Sequence, residues 1–110
     1  MKPQKTVVER GDTCMIDVSI RCRQPEGWYE YIPSKGDRIS VYIKDRENKI
    51  VDHKDTTPPE DNTERMSIVI PTDLPKGKYT YDIILTLSTG ERHTICDENI
   101  LKIKEDSAYA

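Results

Sequence analysis

The segment Thr72-Asp73-Leu74-Pro75-Lys76-Gly77-Lys78-Tyr79-Thr80-Tyr81-Asp82-Ile83-Ile84-Leu85-Thr86-Leu87 decides how the chain folds. Tyr79, Tyr81, Ile83, Leu85 and Leu87 fall on one face of its second half, and Lys78, Thr80, Asp82, Ile84 and Thr86 on the other. Successive side chains of a strand point to opposite faces of a sheet, so this period of two predicts a half-buried β-strand. Ahead of it, Pro75 presets its own φ, and Gly77 is expected to take the positive φ of a tight turn. Tyr79 stands just past that corner. It is placed either to return its hydroxyl to the backbone of the corner or to pack plainly in the core. Asp82, on the polar face, is expected either to meet solvent or to hold a neighbouring loop.

Outward from this segment the same period recurs. Cys14, Ile16, Val18, Ile20 and Cys22 alternate with Met15, Asp17, Ser19 and Arg21, which predicts one continuous strand. Thr6–Arg10 is a short first strand closed by Gly11-Asp12. Gln24-Pro25-Glu26-Gly27 is a turn, followed by the aromatic strand Trp28–Ile32, which Pro33 ends. A turn at Ser34–Asp37 opens the strand Arg38–Lys44. Lys49–Lys54 holds few apolar residues and is expected at a sheet edge, where charge discourages pairing with other chains. Asp55–Arg65 is a polar surface loop, with one helical turn at most. Met66–Ile70, Arg92–Cys96 and Asn99–Lys104 complete the set, with Ser88–Glu91 as a hairpin loop. The sum, about eight or nine short strands with turn residues between, predicts an all-β, antiparallel, immunoglobulin-like β-sandwich. One domain should cover residues 1–104, with 105–110 as a fraying tail.

Composition narrows the function classes. A net charge of −3 gives no electrostatic reason to expect nucleic acid. No apolar run approaches the roughly 20 residues that span a bilayer, so no membrane partner is expected. The opening Met-Lys-Pro-Gln-Lys lacks the apolar core of a signal peptide, which points to synthesis in a cytoplasm. Cys14, Cys22 and Cys96 form no CxxC pair and are read as thiols, the first two as small buried hydrophobes. A disulfide from Cys96 to one of them stays open as the alternative.

The chain carries no nucleophile elbow, phosphate-binding loop or dinucleotide fingerprint, and no enzymatic activity or cofactor is expected. His93 and Cys96 should point to opposite faces of their strand, which argues against zinc. Asp52, Asp55, Glu60, Asp61 and Glu64 lack the calcium-loop order and read as a solvated cluster. The candidate binding surface is Trp28, Tyr29 and Tyr31, able to stack on a sugar ring or fill a protein interface. The plainer reading puts Trp28 in the core, as sandwiches of this class often do, and leaves Tyr29 and Tyr31 divided between core and surface.

One resemblance adds to this reading. Arg10-Gly11-Asp12-Thr13 and Lys35-Gly36-Asp37 each lead a strand. Ser67-Ile68-Val69-Ile70 then precedes Asp73-Leu74-Pro75-x-Gly77-x-Tyr79-x-Tyr81-Asp82-Ile83, with a Thr-Gly hairpin after it. This order, from about Val7 to Ile103, resembles short phage and prophage proteins of Gram-positive bacteria. They are similar to the N-terminal immunoglobulin-like domain of the phage baseplate upper protein. The Asp55–Arg65 loop, the Gln24–Ile32 segment and the missing Phe depart from that pattern. The resemblance implies a virion structural module of the tail or baseplate that docks to other virion proteins or to itself. A carbohydrate-binding or adhesin-like sandwich, taking a glycan on the exposed aromatics, is the alternative.

Overall fold

The computed structural model describes residues 5–104. The strands are β1 (Lys5–Glu9), β2 (Cys14–Val18), β3 (Ile20–Gln24), β4 (Gly27–Tyr31), β5 (Arg38–Lys44), β6 (Ile50–Thr56), β7 (Met66–Ile70), β8 (Gly77–Thr86) and β9 (Arg92–Lys104). A five-stranded sheet runs in the order β1-β9-β8-β5-β6, and two-stranded sheets are formed by β2 with β7 and by β3 with β4. The chain is an all-β sandwich.

Alternation builds the core as the residue pattern requires. The apolar face of β8, from Tyr79 to Leu85, packs between Ile39, Val41 and Ile43 of β5 and Leu101 and Ile103 of β9. Cys14 and Val18 of β2, with Met66, Ile68 and Ile70 of β7, close over that face from the opposite layer. The charged strand β6 is an edge, with Ile50 and Val51 exposed. Its ladder runs to Thr56, two residues into the stretch expected as loop, and a single hydrogen-bonded turn follows, in which the Asn62 N–H donates to the Pro59 carbonyl at 3.2 Å. Asn62 pins the rest of that loop by donating its amide to the carbonyl of Pro33 at 2.8 Å.

Three expectations are corrected. Cys14 to Cys22 is two strands, not one: the chain breaks at Ser19 and changes partner, from β7 to β4. The alternation runs unbroken through that break because period two reports which face a residue takes, not which strand lies beside it. The segments before and after residues 97–98 form one long strand, β9, in which register shifts opposite Tyr81–Ile84 accommodate the extra residues. Such bulges leave a local gap in the ladder. The buried Asn99 covers it, donating its amide to the Tyr81 carbonyl at 3.2 Å. The pairing is also not wholly antiparallel, since β1 lies parallel to β9. Parallel neighbours need a long connection, and these two strands are joined by the entire domain. The tail expected over residues 105–110 lies outside the described residues.

Candidate functional site

The turn Gln24-Pro25-Glu26-Gly27 folds β3 onto β4, with Gln24 opposite Gly27 and Gly27 at a φ of 130°. Only glycine adopts that conformation without strain. Register then sorts the hairpin into two faces. Ile20, Cys22, Tyr29 and Tyr31 share one, and Arg21, Arg23, Trp28 and Glu30 the other.

The first face looks onto the end of the five-stranded sheet across an open cleft of about 1000 Å³. Leu85, Leu87, His93 and Ile95 line the far wall. Two lining runs of three residues or more are contiguous, Ser19–Cys22 of the hairpin side and His93–Ile95 of β9. Odd and even positions reach the cleft together, so strand edges, and not only side-chain faces, border it. Among the described residues, β9 has no strand on its β1 side over residues 92–95, because β1 pairs with Ile100–Lys104. β3 likewise pairs with β4 alone.

The aromatic candidates divide. Trp28 is 64% exposed and does not plug the core, a correction to the plainer reading. The hairpin register turns it to the outer face: its partner is the exposed Arg23, whose guanidinium carbon lies 5.9 Å from the indole centroid. Glu30 on the same face forms an ion pair with Arg65. Tyr29, 43% exposed, is on the cleft face beside Cys22, whose side chain pushes its phenol up from the ordinary value. Tyr31 is half-buried, and its hydroxyl donates to Asp37 Oδ2 at 2.5 Å. Trp28 therefore reaches the cleft only from its rim, while Tyr29 and Tyr31 form its wall.

Asp37 holds this end of the molecule together and was read from sequence only as part of a turn. Its carboxylate, 2% exposed, also accepts the backbone N–H of Ser34 at 2.9 Å and that of Ser88 at 3.0 Å. Burial pushes the carboxyl up. The hydrogen bonds from Ser34, Tyr31 and Ser88 outweigh it and leave the group below its ordinary value. The same contact pushes the Tyr31 phenol up. Asp37 thus ties the hairpin to the β4–β5 and β8–β9 loops that frame the cleft. The readable signal was a short acceptor after a glycine, a pattern that collects turn N–H groups.

At the opposite end, the Tyr79 hydroxyl donates to the Pro75 carbonyl at 2.6 Å while its ring is buried. Gly77 does not take a positive φ. The corner is turned earlier, where the Leu74 N–H reaches the Thr72 carbonyl at 2.8 Å, so no left-handed residue is needed at Gly77. Asp82 is turned away from open solvent and pairs across the strand surface with Lys44 at 2.8 Å, both largely covered.

The bulge also changes the reading of His93 and Cys96. They lie opposite Leu85 and Ile83, two residues of the same β8 face, so their odd spacing does not separate them. Among the described residues no group of three or more His, Cys, Asp or Glu could hold a metal ion. None of the three cysteines forms a disulfide, with Cys14 buried and the other two half-buried. No protein-family model, curated protein or solved structure matches the chain.

Proposed function

We propose that this chain is a non-enzymatic assembly module with an immunoglobulin-like fold, built into the tail or baseplate of a phage or prophage. It docks an extended segment of another virion protein into the cleft beside β3 and β9. The observation that carries this reading is the edge of β9 over residues 92–95, which among the described residues pairs with β8 alone and borders a cleft with tyrosine and leucine walls. A guest strand can pair its backbone with such an edge while its side chains enter the cleft.

The topology supports the immunoglobulin-like part. The run β9-β8-β5-β6 matches a G-F-C sheet extended by C′, and β2 with β7 matches B with E. Tyr79 stands where such folds carry their tyrosine corner, at the start of strand F. The cleft sits at the end bearing the β8–β9 loop, the end that variable domains use for recognition. The virion assignment rests on the sequence resemblance.

Mass spectrometry of virions induced from the bacterium that carries the gene tests it. The chain should be present in stoichiometric amount with tail proteins, and Tyr29→Arg should abolish incorporation while the purified variant keeps its fold. Absence from intact virions would refute the assignment. One observation favours the glycan alternative, the exposed indole of Trp28 with Arg23 over it. A saturable change of its fluorescence on adding cell-wall polysaccharide, lost in Trp28→Ala, would replace the virion reading with that one.

A further inference from the structure

Lys78 of β8 and Lys102 of β9 are direct cross-strand partners. Like charges placed directly opposite each other destabilise a sheet. Around them the pattern is reinforced. A shallow groove of about 550 Å³ on this end of the sheet is lined by Arg46, Lys76, Lys78, Lys102 and Lys104, over a floor of Gly77 and isoleucine. All five cations are exposed, and among the described residues none forms an ion pair. Glu9 lies opposite Lys104 in the β1–β9 register and still makes no ion pair with it. A chain of net charge −3 therefore gathers in one place five positive charges that form no ion pair among the described residues. The arrangement costs the fold stability, and local violations of this kind concentrate at functional sites.

We propose that this groove binds a linear phosphate polymer through its phosphate groups. Four of the five cations are lysines, compact point charges of the kind phosphate sites use, and Arg46 adds a fork that matches phosphate oxygens as well as carboxylate ones. No aromatic side chain lines the groove, so it offers no platform for stacking bases. The ligand is therefore recognised by its charge and spacing. Neighbouring lysines stand roughly 5 Å apart across the strands and 7 Å apart along β9, a ladder that an extended phosphodiester chain can follow. The groove lies at the far end of β8 from the cleft, roughly 30 Å away at the rise of a strand. Both can be filled at once.

Fluorescence anisotropy with a short labelled thymidine oligonucleotide, competed by inorganic polyphosphate or by poly-glutamate of equal charge, tests the assignment. Saturable binding is expected, weakening roughly a hundredfold between 50 and 200 mM salt if four or five phosphates are engaged. Polyphosphate should displace the probe at least tenfold more effectively than poly-glutamate. The double variant Lys78→Gln, Lys102→Gln should lose at least tenfold in affinity and about 1.4 in the salt slope. Its melting temperature should stay level or rise, because a like-charge pair has been removed. Lys54→Gln, an exposed lysine outside the groove, serves as the control. No binding at low salt, an unchanged double variant, equal displacement by poly-glutamate, or an oligonucleotide that polyphosphate cannot displace would each overturn the proposal.

Discussion

Replacing Asp37 by Ala removes the acceptor for three hydrogen bonds at once, from Tyr31, Ser34 and Ser88. Hydrogen bonds to a charged group contribute about 1.5–3 kcal/mol each, and a donor left dry costs a similar amount. The three do not simply add. Ser34 and Ser88 are exposed and can recover water, while the half-buried Tyr31 hydroxyl recovers less. A loss of about 3–4 kcal/mol follows, which lowers the melting temperature by roughly 12–16 °C in a domain of this size. Urea denaturation followed by far-ultraviolet circular dichroism measures it; the exposed Trp28 is a poor reporter of unfolding. Linkage supplies a second readout. The folded carboxyl lies below its ordinary value of 3.8, so its contribution is complete above that pH and disappears as pH falls below it through the folded value. The stability gap between wild type and Asp37→Ala should therefore narrow only below about pH 3.8. A variant within about 1 kcal/mol of wild type at neutral pH, or a gap that does not change in acid, would refute the view of Asp37 as the tie of the cleft.

Gly36→Ala and Gly11→Ala separate backbone strain from collision. Both glycines have positive φ, but a Cβ on Gly36 would meet that of Ser88 at 2.7 Å while one on Gly11 meets nothing within 4 Å. Gly11→Ala should cost about 1 kcal/mol and Gly36→Ala about 2–3; equal costs in urea titrations would show that Ser88 moves aside freely. Tyr79→Phe removes a hydroxyl that ties the corner to Pro75 and should cost about 1–1.5 kcal/mol with the ring still packed. An unchanged denaturation midpoint would reduce Tyr79 to core packing. Trp28→Ala should change stability by less than about 1 kcal/mol, against roughly 3–5 for a buried aromatic, and wild-type Trp28 emission should be readily quenched by iodide.

The strands were legible because alternation is a local property. Arg38–Lys44 and Met66–Ile70 fall where their residues place them. The apolar face of β8 is buried over Tyr79, Tyr81, Ile83 and Leu85 as its period requires. Partnership was not legible. The apolar repeat from Cys14 to Cys22 carries no mark of the partner change at Ser19, and the bulge that brings His93 and Cys96 opposite one face of β8 depends on how two strands align.

The cleft and its aromatics show the same divide. Composition singled out Trp28, Tyr29 and Tyr31, and the hairpin register alone put Trp28 outside and the two tyrosines inside. Gly11-Asp12 and Gly36-Asp37 read identically along the chain, and both glycines do take the positive φ that a turn residue suggests. Yet Asp12 is exposed, whereas Asp37 is buried and gathers three donors from separate segments. The lysines of the groove are likewise ordinary strand residues until β8 and β9 set Lys78 against Lys102. Face, turn and strand are decided by neighbours within a few residues, which the sequence by itself records. Edges, clefts and charge ladders are decided by segments distant in sequence, and only the tertiary structure brings those together.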